Sequence, residues 1–279
     1  MFDVRDRPLV QEASSRDEGS NGPATGDVLA HPRDAGAQAP LLQVLARDRS
    51  PIPHDRIPEA GLDALDWILA SSDRWYGALK QRAIRADVIL DVGVSSGYTS
   101  VWFSRWARQV YAFEPNPANQ ASVREQLTIR GVRNVELIET AVSDHQGETD
   151  LFVKPQEGHH SLGDIGASDT IDRIHVPVTT LDRFAAERGI ERVGLLKIDV
   201  EGFEPEVLRG ARDLLESRRI DLILFEHSPG FYRQRGIDPL APVALLEEVG
   251  YRVTDLDGHP IDHTAAAELW QTDLLAAPG

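Results

Sequence analysis

The sequence predicts an α/β fold in which one mostly parallel sheet carries helices on both faces. Two observations predict it. From Ala86 onward, short apolar runs of strand length alternate with stretches of helical periodicity. Residues that start or stop helices sit at the junctions, among them Pro117, Gly131, Thr180, Gly189, Pro205 and Gly250. Repeated strand–helix alternation builds a parallel sheet covered on both sides.

Taken in order, Val88–Leu90 reads as the first strand, followed by a turn and a helix over Tyr98–Ala107. Val110–Phe113 is a second strand, and Pro117–Arg130 is a helix closed by Gly131. A third strand region comprises Val135–Ile138 with Ala141–Val142. Asp150–Val153 and His175–Val178 are extra strands flanking a polar loop, Pro155–Arg173. Thr180 caps a helix over Leu181–Arg188, and Gly189 stops it. Leu195–Ile198 is the fourth strand and Pro205–Leu215 its helix, with proline suited to the first helical position. Leu222–Phe225 is the fifth strand, Pro242–Glu248 a further helix, and Tyr251–Leu256 and Leu269–Ala276 two last strands. The last is expected antiparallel beside Tyr251–Leu256. The sum is a Rossmann-like, seven-stranded sheet occupying residues 86–279.

Two segments precede it. Residues 1–40 are rich in Gly, Pro and Ser; between Gln11 and Pro40 only Val28 and Leu29 are large aliphatics. Such a stretch buries too little apolar area to offset an ordering cost of about 1–2 kcal/mol per residue, so a mobile tail is expected. Residues 41–85 turn helical: Leu62, Leu65, Ile68 and Leu69 recur at three and four, continuing through Trp75, Tyr76 and Leu79. This is a helical preface or cap, in which Trp75 and Tyr76 pack in the core or line a pocket.

Composition bounds the function. The chain has 279 residues, which suits one large α/β domain with extensions. A formal net charge of −16 repels a phosphate backbone, so neither nucleic acid nor an anionic membrane surface is expected as a partner. With no cysteine, disulfides, thiolate metal sites and a cysteine nucleophile are excluded. No apolar run approaches the roughly 18 residues of a membrane span. Met1–Val10 has no apolar stretch after its charges and is not a secretory signal, so a cytoplasmic protein is expected.

Ligands of an open parallel sheet bind beyond the carboxyl ends of the strands, where strand order reverses. The first strand ends in Asp91-Val92-Gly93-Val94-Ser95-Ser96-Gly97, a turn that lets the next helix start close to a ligand. The second ends in Glu114, whose carboxylate can accept both hydrogens of a ribose diol. The turn lacks G-x-G-x-x-G and opens with an acid. A pyrophosphate disfavours a nearby carboxylate, whereas a cationic amino-acid ligand is stabilised by one. That sign points to S-adenosylmethionine, with its ammonium, sulfonium and ribose diol.

Several motifs agree in order: Asp91-Val92-Gly93-x-x-x-Gly97-Tyr98-Thr99-Ser100, Tyr111-Ala112-Phe113-Glu114-Pro115-Asn116-Pro117, Ala141-Val142-Ser143-Asp144, Thr180-Leu181-Asp182, Leu196-Lys197-Ile198-Asp199-Val200-Glu201-Gly202-x-Glu204 and Phe225-Glu226. Over roughly Ala86 to Pro278 the chain resembles the FkbM family of S-adenosylmethionine-dependent methyltransferases. Val94-Ser95 departs from that family's commoner small-Asn pair. The resemblance implies a class I methyltransferase fold and O-methylation of a small-molecule hydroxyl, on a sugar or secondary metabolite. It implies that Asp91, Gly93, Ser95 and Gly97 form the cofactor turn and that Glu114, with Pro115 and Asn116, holds the ribose. Ala141, Ser143 and Asp144 would border the adenine, and Asp199 would lie near the transferred methyl.

An alcohol nucleophile must lose its proton as it attacks, so a base is expected above the cofactor. Asp199, Glu201, Glu226 and His227 stand at strand ends; His227 is taken as the base, oriented by Glu226, with Asp199 beside them. As an alternative, Asp199, Glu226 and His227 could hold a divalent ion such as magnesium with a substrate diol; their spacing is not diagnostic, and the metal-free scheme is preferred. Of His159 and His160 in the polar loop, at most one faces the cleft. Trp102 and Trp106 form core or a subunit contact, leaving homo-oligomerisation open, and Pro229–Tyr232 could shape an acceptor pocket. Two rival functions remain at this point: an NAD-dependent oxidoreductase, and a non-catalytic module that binds S-adenosylmethionine.

Overall fold

A computed structural model describes residues 75–82, 84–155, 160–164 and 170–279. The expected tail, and the preface before residue 75, lie outside the described residues.

The described elements begin with helix α1 (Trp75–Gln81), followed by β1 (Ala86–Val92), α2 (Tyr98–Phe103), β2 (Ala107–Phe113), α3 (Pro117–Ile129) and β3 (Val135–Ile138). Next come β4 (Ala141–Val142), β5 (Gly147–Val153), β6 (Asp172–Thr179), α4 (Leu181–Arg188) and β7 (Leu195–Ile198). The chain continues through α5 (Glu204–Arg209), α6 (Arg212–Glu216), β8 (Ile223–His227), α7 (Pro229–Gln234) and α8 (Ala241–Glu248). It closes with β9 (Tyr251–Thr254), α9 (His263–Glu268) and β10 (Thr272–Pro278).

Seven strands form the main sheet in the order β3-β2-β1-β7-β8-β10-β9. β3, β2, β1, β7 and β8 are mutually parallel, and β10 runs antiparallel to both β8 and β9. From β1 the chain winds outward to β2 and β3, then returns to place β7 and β8 on the other side. The topological switch point therefore falls between β1 and β7, and their carboxyl ends open a crevice there.

Alternation along the central strands supplies both faces. Leu90, Val92, Leu196, Ile198 and Phe225 pack against α4, α5, α6 and α8 on one side. Ile89, Leu195, Leu224 and Leu275 point to the other, where Val101, Trp102 and Phe103 of α2 and Trp75, Tyr76 and Leu79 of α1 cover them. Trp75 and Trp102 stack with ring centroids 5.9 Å apart, so the preface ends as core rather than pocket wall, and Trp102 is core rather than an exposed contact.

Several elements differ from expectation for local reasons. The helix after the glycine turn stops at Phe103, because Ala107 already pairs with Ala86 as the first rung of β2. The helix expected over Pro205–Leu215 is two, broken at Gly210, where a Cβ would overlap the carbonyl oxygen of Ser143. Ala141–Val142 leaves the main sheet and pairs with β6, forming a second sheet in the order β4-β6-β5. β8 extends through His227, and β10 starts at Thr272 rather than Leu269. Helices α7 and α9, six residues each, are too short to show a period in sequence. Among the described residues, no helix is long and apolar enough to cross a membrane.

Candidate active site

The carboxyl ends of β1, β2, β7 and β8 border a cavity of about 330 Å³ at the switch point. Gly93, Ser95, Glu114, Pro115 and Ala141 line it, with Asp199, Glu201 and Glu226 at one end.

The glycine turn is shaped by close backbone approach. Gly93 has φ +82°, and a Cβ there would overlap the carbonyl oxygen of Asp199, so β1's turn rests directly on the end of β7. Gly97, at φ +87°, abuts Val123 of α3 and does not line the cavity. Asp91 does not line it either, contrary to its expected place facing a cationic ligand. Its carboxylate lies beneath the turn, where Oδ2 accepts from Thr99 Oγ1 at 3.0 Å and Ser100 Oγ at 2.6 Å. Lys197 Nζ stands 3.9 Å from its other oxygen. Burial pushes the Asp91 carboxyl up, against the pull of Lys197 and the two hydroxyls. The strand alternation of β1 decides this: Asp91 falls opposite Lys197 in the register with β7.

Glu114 ends β2 with its carboxylate in the cavity wall. Oε2 accepts from the Ser95 amide and Oε1 from the Asn116 amide, both at 2.8 Å, and burial pushes the carboxyl up to about 7. Each oxygen keeps a second lone pair for a diol. Asn116 itself caps α3 by accepting from the Ala118 amide at 3.0 Å, and lines a separate recess instead.

Ser143 and Asp144 are not in the cavity. Because β4 joins the small sheet, the Ser143 amide donates to the Thr179 carbonyl, and Asp144 pairs with Arg209 Nε at 3.0 Å. The wall expected from them comes from Thr140, Ala141 and Val142, faced by Leu151 and Leu162 of the small sheet's hairpin. His160 lines the same wall and its Nδ1 accepts from the Lys154 amide at 3.1 Å; His159 lies outside the described residues.

Three carboxylates converge at the other end. Oxygens of Asp199, Glu201 and Glu226 lie within 4.8 Å of one another. Lys197 Nζ donates to Asp199 Oδ2 at 3.0 Å and to the Gly93 carbonyl at 3.3 Å, tying β7 to the glycine turn. Burial alone would lower this ammonium's pKa, but Asp199 and Asp91 outweigh it and hold the lysine charged. Glu201 sits at φ +55°, in the left-handed region, followed by Gly202. Glu204, fully buried, enforces that bend: Oε1 accepts from the Val200 and Gly202 amides at 3.1 Å, while Oε2 accepts from the Tyr232 hydroxyl at 2.9 Å. Arg235 donates to the Gly202 carbonyl as well. Burial, then repulsion from Asp199 and Glu204, pushes Glu201 up to about 8. Burial, then Asp199 and Glu201, pushes Glu226 up to about 10.

His227 is not part of this group, which corrects its expected role as base. It is the last residue of β8, paired with Thr272, and alternation turns it away from Glu226 to the opposite face. There it is wholly buried, with its ring centroid 5.7 Å from that of Tyr232 and 6.2 Å from that of Phe225. Burial pushes its pKa down to about 4, with a backbone interaction to Ala266 offsetting little, so the imidazole is neutral. The metal set weighed from sequence loses His227 and gains Glu201, leaving three hard carboxylate donors. Lys197 and Glu204, quoted in the sequence motif without a role, take structural roles here, and the wall of Thr140, Leu151 and Leu162 has no counterpart in the sequence reading. A lysine inside an otherwise apolar buried strand was the available signal for the first, since such a charge requires partners.

Comparison with known proteins adds a family match and three relatives. The profile of the methyltransferase FkbM domain matches residues 91–253. The chain is 28% identical over 148 residues to the 2-O-methyltransferase NoeI of Sinorhizobium fredii, covering 47% of this chain and 60% of that protein. It is 31% identical over 157 residues to the 31-O-demethyl-FK506 methyltransferase FkbM of Streptomyces tacrolimicus, covering 46% and 60% respectively. It is also 29% identical over 173 residues to the hexuronic acid methyltransferase AglP of Haloferax volcanii, covering 61% and 65%. The chain thus spans less than two thirds of the length of these relatives. Since the profile match takes in more than half of its residues, this chain belongs to the methyltransferase FkbM domain family.

Proposed function

We propose that the chain is an S-adenosylmethionine-dependent O-methyltransferase acting on a hydroxyl of a small molecule, a sugar or a secondary metabolite. One observation carries this reading. The cavity is lined by four carboxylates, Glu114, Asp199, Glu201 and Glu226, and among the described residues by no lysine or arginine. A nicotinamide dinucleotide would bring a pyrophosphate against these acids, which ionise more readily beside a cation, with no lysine or arginine in the lining to receive it. An ammonium and a sulfonium meet complementary charge at the acidic end, and a ribose diol meets Glu114. Ala141, Val142, Leu151 and Leu162 offer an apolar slot for a purine. The relatives, two O-methyltransferases and a hexuronic acid methyltransferase by name, agree with the same reaction class.

When bound, S-adenosylmethionine supplies an electrophilic methyl on sulfur. The residues of this chain then have two tasks. The first is alignment: the turn at Gly93, tied to Asp199 through Lys197, fixes one end, and Glu114 fixes the other. Orientation of this kind is worth on the order of 7–11 kcal/mol. The second is proton removal. Glu226, with Glu201 beside it, holds a proton; a cation placed among these carboxyls lowers their pKa values and frees a carboxylate base. Asp199, Glu201 and Glu226 would also suit a magnesium ion, and a chelator distinguishes that scheme.

Calorimetry with S-adenosylhomocysteine and with NADH tests the cofactor: heat with the first alone is expected, and heat with NADH alone sinks the proposal. Formation of S-adenosylhomocysteine across a panel of hydroxylated acceptors, with and without chelator, separates an enzyme from a binding module and a metal-free scheme from a metal-dependent one.

A further inference from the structure

A second cavity of about 300 Å³ opens on the same edge of the sheet, lined by Asp255, Asp257, Asp273, Gln271, Thr272 and Glu226. Topology explains its place. β9 ends at Thr254, so Asp255 and Asp257 follow its carboxyl end; β10 is antiparallel, so its start, Thr272, lies at that edge too. Register places Asp273 directly across from Glu226, and cross-strand partners share one face of a sheet. Of the residues lining the two cavities, Glu226 alone belongs to both. A hydroxyl held in the second cavity therefore meets the carboxyl that faces the first.

We propose that this second cavity is the acceptor subsite, and that it selects a neutral or amine-bearing polyol over an anionic one. The proposal rests on the methyl-transfer reading above. Three aspartates line the cavity, and among the described residues no lysine or arginine does. Asp255 is held ionised by its own turn: Oδ1 accepts from the His259 amide at 2.8 Å and the Asp257 amide at 2.9 Å, and its carboxyl lies below the usual range. Carboxylates accept hydrogen bonds from hydroxyls, pair with an ammonium, and repel a uronate or phosphate. A second feature points to a saccharide. Trp270, next to the lining Gln271, is 56% exposed, and its indole lies over Gly230, where a Cβ would overlap it. Phe231 packs against that ring at 5.6 Å. Trp270 is not itself in the lining, but its exposed aromatic face, one residue along the chain from the lining Gln271, suits the apolar face of a sugar ring.

The test uses the full chain with S-adenosylhomocysteine bound, and three probes that differ in one substituent: methyl α-glucoside, methyl α-glucosaminide and methyl α-glucuronoside. Saturation-transfer NMR is expected to show the first two binding about tenfold or more tighter than the uronide. Asp257→Lys is expected to shrink that preference by about fivefold or more while leaving affinity for S-adenosylhomocysteine within about twofold. Equal or better binding of the uronide, or binding of none of the three, overturns the subsite while cofactor binding stands. Failure of S-adenosylhomocysteine itself to bind overturns the methyl-transfer reading and the subsite with it.

Discussion

Acids end both halves of the sheet, but they are used differently on either side of the switch point. At the tips of β1 and β2, Asp91 and Glu114 are buried; Asp91 accepts from two hydroxyls of the helix that follows it, and Glu114 from one amide of the glycine turn after β1 and one of its own turn. Their carboxylates fix backbone, and only Glu114 keeps a face toward the cavity. At the tips of β7 and β8, Asp199, Glu201 and Glu226 are half-buried and face one another, with Lys197 reaching only the first. Satisfied acids shape the site; crowded acids store electrostatic strain that a cation or a proton relieves. The second kind is where chemistry is expected.

The largest effect that would break this contrast is at Glu226. Glu226→Gln is expected to lower turnover by about 10²–10⁴-fold, the usual contribution of a positioned base, with S-adenosylhomocysteine affinity nearly unchanged. The same variant carries a stability test. An acid raised to about 10 keeps in the folded state a proton that the unfolded chain releases from near 4.5 upward. Its stabilising contribution is complete below about 4.5 and is lost as pH rises toward 10, so wild-type stability falls across that window. Glu226→Gln removes this loss and should melt higher than wild type at pH 8–9, by thermal unfolding; a lower melting point there would contradict the crowding.

On the other side of the contrast, Lys197→Met strips the countercharge from fully buried Asp91. Urea denaturation should show a loss of about 3–5 kcal/mol, and Asp91→Asn in the same chain should restore part of it. If Glu114 binds the ribose diol, Glu114→Gln should weaken S-adenosylhomocysteine binding by about 1.5–3 kcal/mol in calorimetry. The smallest effect is expected at His227. His227→Leu keeps the volume of a neutral buried ring's neighbourhood approximately filled, and turnover should stay within about threefold; a loss matching that of Glu226→Gln would return the histidine to the mechanism.

Much of this architecture was legible in sequence because apolar runs and helix stops are local signals. The glycine turn, Glu114 and the three acids near Asp199 could be placed at strand tips on that basis. Their facing directions could not. Reading the fifth strand as ending at Phe225 left Glu226 and His227 both free to face the crevice. Pairing with Thr272, nearly fifty residues on, carries β8 through His227 and sends the two side chains to opposite faces. Ser143 and Asp144 were misplaced for a similar reason, since the partner that draws β4 out of the main sheet is the distant strand β6. The left-handed backbone at Glu201 depends on Glu204 and, through it, on Tyr232. None of these long-range pairings leaves a mark on local composition.

The FkbM profile ends at residue 253, but the sheet does not. β10 begins at Thr272 and is wedged between β8 and β9, and among the described residues β9 pairs with no other strand of the sheet. The profile also starts inside β1 and omits α1, whose Trp75, Tyr76 and Leu79 cover Trp102. A recombinant fragment trimmed to the profile's limits would bare a tryptophan-rich face and leave β8 as an open, aggregation-prone border. Expression of the folded unit therefore has to retain at least Trp75 through Pro278.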